Sequence, residues 1–245
     1  MNFEQWLTEM YKKKDGTSLS KCSIEHYKSG LESISKDMYL AGVITKPLYY
    51  MDLLELDLAI SLIFSNKAFK EKDCAGKRMY SNALKRFRCY LYFNTDLYAK
   101  EMDEISSIEN NDKLTTEEKK ELIESRRGGG QFANALKEKY NNSCVITGVT
   151  VSQVLVASHI KPWVVSNNEE KLCIDNGILL SATYERLFES GLISFKKDET
   201  VMISSLINEE NKEKLNLKDD FIYDIKYTSE MDVYLNYHND VIYVK

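Results

Sequence analysis

Hydrophobic positions recur at helical spacing through the first hundred residues. Between residues 24 and 38 they return every three or four residues, which places on one helical face Ile24, Tyr27, Leu31, Ile34 and Met38. The segment 51–64 is apolar on nearly all sides and is expected to form a central, buried helix. A further stripe runs from Met79 to Leu91. The pattern predicts a helical domain over residues 1–104.

Basic residues occupy the other positions around this last stripe, namely Lys77, Arg78, Lys85, Arg86 and Arg88. Such a run is typical of a solvated helix face, and the alternative is a contact with the DNA backbone. The helical segments also resemble, faintly, the DNA-clamping domains of tyrosine recombinases. The C-terminal half shows no matching tyrosine nucleophile, so this alternative has no chemistry to support it.

The chain changes character after residue 104. Residues 105–127 are highly charged and poor in large apolar side chains, and Thr115 with Glu118 fits a capping box that opens an exposed helix. Three glycines at 128–130 then break the helix. We therefore predict a charged linker helix over 105–127 and a second domain over 128–245.

The second domain mixes short strands with helices, which makes the whole chain α+β. The predicted order is strand, strand, loop, helix, then a hairpin and a strand-like tail. The segments are a helix at 131–141, strands at 144–147 and 154–157, a polar loop at 161–175, a helix at 181–189, a hairpin turn at 197–199 and the tail at 234–245.

The composition and charge of the chain limit the classes of protein to which it can belong. The chain has 245 residues, and no run approaches the roughly 20 apolar residues of a membrane span. We expect no signal peptide. Five cysteines without a C-x-x-C pair disfavour a disulfide framework or a zinc knuckle and suit the cytoplasm. The net charge of −5 argues weakly against a nucleic-acid partner but allows a local basic face.

Three chemically useful side chains lie within 157–189. His159 follows an apolar strand that Pro162 stops, Asn176 opens a tight turn, and Glu185 lies one turn inside the next helix. A neutral imidazole can take a proton from water at cellular pH, and a carboxylate can hold Mg²⁺. The Asn176 amide, if it hydrogen-bonds the loop, would fix the position of the His159 base. These are the parts that phosphodiester hydrolysis needs.

At these residues the chain resembles the HNH (ββα-metal) endonuclease family, in the branch found in many restriction enzymes. The resemblance covers roughly the C-terminal half. It is carried by Arg127-Gly128, Gln131-Phe132, Cys144-Val145-Ile146-Thr147-Gly148, Ser158-His159-Ile160-Lys161-Pro162-Trp163, Asn176-Gly177-Ile178-Leu179-Leu180, Leu187-Phe188-Glu189-Ser190-Gly191-Leu192-Ile193 and Tyr234-Leu235-Asn236-Tyr237-His238.

The resemblance implies a fold and a set of roles. A helical N-terminal domain over residues 1–104, for target recognition or dimerisation, would precede a ββα-metal (HNH) nuclease domain with an extra β-hairpin. His159 would be the general base, and Asn176 would hold the metal loop. Glu185 stands where His or Asn is usual as a metal ligand, and Ser158 where many relatives have Asp or His. Asp175 is an alternative ligand. The expected cofactor is Mg²⁺ or Mn²⁺.

Four polar side chains are candidate DNA contacts: Arg127, Gln131, Lys161 and Arg186. Solvated side chains are the alternative for such residues. The implied function is a Mg-dependent DNA endonuclease of a restriction or phage-defence system, acting on double-stranded DNA. Because cutting both strands needs two active sites, a homodimer is expected. The alternative is a catalytically degenerate HNH scaffold that binds DNA or protein.

Overall fold

The computed structural model describes residues 1–11 and 17–245. Eight helices of the described residues precede the first strand: α1 (Phe3–Glu9), α2 (Lys21–Leu40), α3 (Leu53–Ser65), α4 (Lys67–Ala75), α5 (Met79–Asn94), α6 (Leu97–Glu109), α7 (Thr116–Arg126) and α8 (Gly130–Lys139). The predicted apolar faces of α2 and α5 are buried. On α3 the expectation is only partly met, because Leu58 and Leu62 are exposed.

The C-terminal part carries two small sheets, and of the predicted elements it has the second strand, the loop, the helix and the hairpin. Its elements are β1 (Leu155–His159), α9 (Asn168–Leu172), β2 (Gly177–Ser181), α10 (Ala182–Glu189), β3 (Ile193–Phe195), β4 (Val201–Ile203), α11 (Glu209–Lys214) and α12 (Met231–Tyr237). Strands β1 and β2 pair antiparallel, and so do β3 and β4. The α+β class, the ββα unit (β1, β2 and α10) and the extra hairpin (β3–β4) are thus confirmed.

The predicted strand at 144–147 is wrong. These residues form a turn in which the Gly148 amide donates to the Cys144 carbonyl (2.8 Å) and the Cys144 amide to the Val149 carbonyl (2.9 Å). Gly148 has a φ of +68°, which bends the chain back on itself. The strand order is therefore strand, long loop, strand, helix, with residues 160–176 joining β1 to β2.

The predicted strand-like tail is also wrong. Residues 231–237 form α12, and 238–242 continue as one wider helical turn. Met231, Leu235 and His238 recur at spacings of four and three residues, and all three are buried. Burial of one helical face therefore outweighs the strand preference of the β-branched residues near the end of the chain.

The basic run on α5 points largely inward. Arg88 is 1% exposed and forms an ion pair with Asp57 of α3. Arg86 is buried against the rings of Tyr11 and Tyr27. Neither arginine belongs to a solvated or DNA-facing surface, so both interpretations of the basic run fail for this pair.

The helical region and the ββα unit share one hydrophobic core, which includes residues from Phe3 to Val244. The boundary predicted after residue 104 falls inside α6. Within the predicted linker, Thr115 and Glu118 form the expected capping box. Ile108 and Leu122 pack against Trp163 of the loop after β1. In the described part of the chain, no helix is both long and apolar enough to cross a membrane.

Candidate active site

The β1–β2 hairpin places His159 at the end of its strand. His159 lies opposite Gly177 in the register. A side chain at Gly177 would meet Leu136 at 2.6 Å and Phe132 at 2.8 Å, so the glycine lets α8 pack directly on the hairpin. The position of His159 therefore depends on a close contact between helix and sheet.

Asn176 ties the long loop to the hairpin. The residue has no exposed surface, and its Oδ1 accepts from the Lys161 amide at 2.8 Å. Its Nδ2 donates to the Glu170 carbonyl at 3.0 Å and to Ser166 Oγ at 3.4 Å. One amide therefore bonds three parts of the loop, which matches the loop-holding role expected from the sequence.

The imidazole of His159 has a defined hydrogen-bonding state. Its Nε2 lies 2.9 Å from the Lys171 carbonyl, which can only accept, so Nε2 carries the proton and Nδ1 is left with its lone pair. The ring stacks on Phe132 (4.4 Å between centroids) and meets the edge of Trp163 (5.2 Å). Burial lowers the pKa of His159 to about 4. The ring is therefore neutral and able to accept a proton near pH 7.

A cavity of about 350 Å³ opens beside His159. The ββα unit provides one wall, with Ser158, Glu185 and Arg186. The helical region provides the other wall, mainly from α6 and the end of α7. The wall residues of this second side include Leu97, Tyr98, Lys100, Glu101, Glu104, Arg126 and Arg127. The part of α6 that sequence reasoning assigned to a separate domain thus faces His159 across the cavity.

Two carboxylates of α10 act together in this cavity. Glu185 shares a side-chain hydrogen bond with Glu189, one helical turn later. Burial, followed by the negative charge of Glu189, raises the pKa of Glu185 to about 7. Burial would also raise the pKa of Glu189, but Lys100 and Tyr92 outweigh it and hold that pKa below its usual value. At pH 7 Glu189 is therefore ionised, while Glu185 is about half protonated.

Sequence reasoning missed three charged wall residues that act on this pair: Lys100, Glu104 and Glu189. Glu189 could have been found, because it lies four residues after Glu185 and so shares its helical face. Lys100 lies 3.8 Å from Glu189 Oε1, and Glu104 is paired with Arg126. No local pattern marks Lys100 or Glu104, since only the tertiary packing of α6 brings them to the site.

The predicted site residues divide into two groups. The structure brings His159, Ser158, Glu185, Arg127 and Arg186 to the cavity. It leaves four others outside the cavity wall: Asn176, which holds the loop from behind the site, and Lys161, Gln131 and Asp175.

Lys161 is held by Glu170, with Nζ 2.6 and 2.7 Å from the two carboxylate oxygens. Asp175, the alternative metal ligand, instead accepts from Lys139 (3.2 Å) and Thr228 (2.9 Å). Gln131 is exposed in the first turn of α8 and is not among the residues that line the cavity. The expectations for Lys161, Gln131 and Asp175 therefore find no support in this geometry.

The hairpin, the long loop and the helix behind them define a ββα scaffold with a histidine at the strand end. Residues 144–196 match the family model described as HNH endonuclease. This segment is therefore an HNH-family domain, as the sequence resemblance implied, and it includes His159, Asn176, Glu185 and Glu189. No curated protein matches the chain.

HNH nucleases generally use a divalent metal ion. Among residues 1–11 and 17–245, no three His, Cys, Asp or Glu side chains are grouped so as to hold a metal. Mg²⁺, however, needs only one or two carboxylates and keeps several waters. The Glu185–Glu189 pair, which shares a hydrogen bond, and the buried Glu104 Oε1, which has no hydrogen-bond partner, suit such a hard cation. The donor set therefore fits a divalent ion held largely through water.

Proposed function

We propose that this protein is a metal-dependent DNA endonuclease that hydrolyses phosphodiester bonds. The observation that carries the proposal is the neutral His159, with its free Nδ1, beside a partly buried carboxylate pair in one cavity. The exposed Tyr98 and Arg186 at the same cavity suit a nucleic-acid substrate, because bases stack on aromatic rings and phosphates pair with guanidinium groups.

The chemistry follows from these groups. His159 Nδ1 takes a proton from water as the water oxygen attacks phosphorus. One bridging P–O bond breaks, and the leaving oxygen gains a proton from solvent. The phosphodiester's negative charge favours the imidazolium, which offsets the depressed pKa of His159. A divalent ion, held by Glu185 and Glu189, would supply charge stabilisation at the phosphate oxygens.

The test is plasmid cleavage with Mg²⁺ or Mn²⁺. His159→Ala removes cleavage and keeps DNA binding, while His26→Ala, on the exposed histidine of α2, leaves cleavage unchanged. A His159→Ala variant that cuts at the wild-type rate contradicts the mechanism. Restriction or phage defence is the setting we propose, and comparison of methylated with unmethylated plasmid tests it. The five free cysteines suit our further proposal that the protein acts in the cytoplasm.

Double-stranded DNA is the proposed substrate, and a homodimer the proposed form. Two sites are needed to cut two strands. Leu58 and Leu62, one turn apart on α3, are 46% and 53% exposed and could bury each other's surface in a second copy. Sedimentation of wild type and Leu62→Lys tests this proposal. A wild-type monomer that still cuts both strands contradicts it.

One observation favours the alternative of a degenerate HNH scaffold. Three acidic side chains of the cavity already have basic partners: Arg126 pairs with Glu104, and Arg186 lies beside Glu185 and Glu189. Calorimetric titration with Mn²⁺ separates the two proposals. Absence of Mn²⁺ binding, together with no effect of Glu185→Ala on any DNA activity, favours the degenerate scaffold.

A further inference from the structure

Lys100 of α6 is buried in the cavity wall without an acceptor for its hydrogen bonds. The residue is 8% exposed. Its only ion-pair partner among the described residues is Glu189, at 3.8 Å, and no described oxygen lies within hydrogen-bonding distance of its ammonium. Lysines are rarely buried unless they are paired, and Lys100 Nζ is not fully enclosed by the protein, so the incompletely paired ammonium is open to the cavity that it lines.

The second buried lysine of the described residues shows what complete pairing looks like. Lys212 is 7% exposed, and its Nζ lies 2.9 Å from Glu209 Oε1 and 2.8 Å from Asp219 Oδ2. Lys212 thus has two acceptors where Lys100 has none. The difference indicates that the donors of Lys100 are directed to something that enters the cavity.

Of the neighbouring cations of the cavity, Arg127 is exposed at its edge, and the other two are already engaged. Arg126 is hydrogen-bonded to Glu104, and Arg186 lies within 3.4 Å of Glu189 Oε2. Lys100 is therefore the buried cation in this wall whose N–H groups remain available as hydrogen-bond donors. A small oxyanion matches it in charge and geometry, and it would bind in the cavity that also contains His159.

We propose that Lys100 binds a non-bridging oxygen of the phosphodiester that His159 attacks. This inference rests on the proposed nuclease function. It makes the helical region part of the active site, because α6 would then hold the substrate phosphate against the ββα unit. Lys100 also keeps Glu189 ionised, and the experiment must separate these two roles.

The test is the salt dependence of DNA binding, measured without metal in EDTA with a short duplex. One phosphate contact contributes about 0.9 to the slope of log K against log salt concentration. We expect Lys100→Met and Lys100→Gln to reduce the slope by about 0.9 and to slow cleavage about 10²-fold. Lys100→Arg keeps the slope. Lys36→Met, on the exposed face of α2, changes neither slope nor cleavage.

Two variants are used because Lys100→Met could unfold the wall, and the slope is read from whichever keeps the wild-type melting temperature. A wild-type slope in both variants, with slower cleavage, shows that Lys100 acts only through Glu189 and overturns the inference. If the wild-type protein itself shows no salt-dependent DNA binding, the proposed function fails, and this inference fails with it. The two failures are therefore distinguishable.

Discussion

The buried ion pair between Arg88 and Asp57 links the helical region to the end of α10. Arg88 Nε lies 2.6 Å from Asp57 Oδ1, and Nη2 lies 3.2 Å from Oδ2, so the pair is bidentate. The remaining nitrogen, Nη1, donates to the Glu189 carbonyl at 3.2 Å. The two side chains are 1% and 2% exposed. Asp57→Ala would therefore leave a guanidinium buried without its counter-charge.

Removing one member of a buried pair costs about 3–5 kcal/mol, because the other charge remains in a medium of low polarity. For a protein of this size, 1 kcal/mol corresponds to about 2–4 °C in melting temperature. Asp57→Ala should therefore lower the melting temperature by about 6–20 °C. Urea denaturation followed by circular dichroism gives the free energy of unfolding directly.

Two controls make the reasoning refutable. Replacing both charges, as in Asp57→Leu with Arg88→Met, should be far less harmful than Asp57→Ala, because no buried charge remains. Glu71→Ala, which removes an exposed pair with Lys67, should cost no more than about 1 kcal/mol. If Asp57→Ala costs as little as Glu71→Ala, the pair does not hold α10 as described.

Three further predictions concern the site and its histidines. Asn176→Ala removes the acceptor of the Lys161 amide and should cost about 1–3 kcal/mol in urea denaturation, and an unchanged stability would contradict the loop-holding role. Since the pKa of Glu185 is about 7, protons compete with the metal below pH 7, so Mn²⁺ affinity should fall about tenfold per pH unit there. Calorimetry in two buffers of different ionisation enthalpy should show proton release, and Glu185→Gln should abolish it. Burial lowers the pKa of His159 to about 4 and of His238 to about 3, against about 6.5 when unfolded. The unfolded chain therefore binds more protons at these two rings below pH 6.5, and their contribution to stability should fall by about 4 kcal/mol between pH 7 and pH 5. The raised pKa of Glu185 acts in the opposite direction, so the measurement is made in a Glu185→Gln variant. Equal stability of that variant at pH 7 and pH 5 in urea would refute the lowered pKa of the two rings.

The site residues that could be predicted best from the sequence are those that lie close together along the chain. A histidine at a strand end, an Asn-Gly turn and a glutamate in the next helix lie within 27 residues from His159 to Glu185, so chain connectivity alone keeps them close. The helical stripes were predictable because one buried face repeats along the chain. The same reasoning could not find Lys100 or Glu104, which are far from His159 in sequence and reach the cavity only through the packing of α6.

The wrong predictions have a common physical cause. Residues 144–147 and the tail have strand-like composition, yet β-propensity describes how side chains fit a surface and not an independent backbone preference. At 144–147 the buried Cys144 accepts from the Ser181 amide through its sulfur, and a turn forms where a strand was expected. In the tail, His238 donates from Nε2 to the Phe188 carbonyl and stacks on the Phe188 ring. In both segments, the tertiary contacts of single residues determine the backbone conformation.

The carboxylate pair of α10 shows why the helical region and the ββα unit are joined as they are. Two buried acids one turn apart repel each other, and the ββα unit supplies only Arg186 beside them. The helical region adds Lys100 and Tyr92 near Glu189, and Arg88 at its carbonyl. These contacts keep Glu189 ionised beside Glu185, whose raised pKa lets it hold a proton that a divalent ion would displace. The ββα unit alone would lack this charge balance, so the helices set the charge of the site in which His159 is placed.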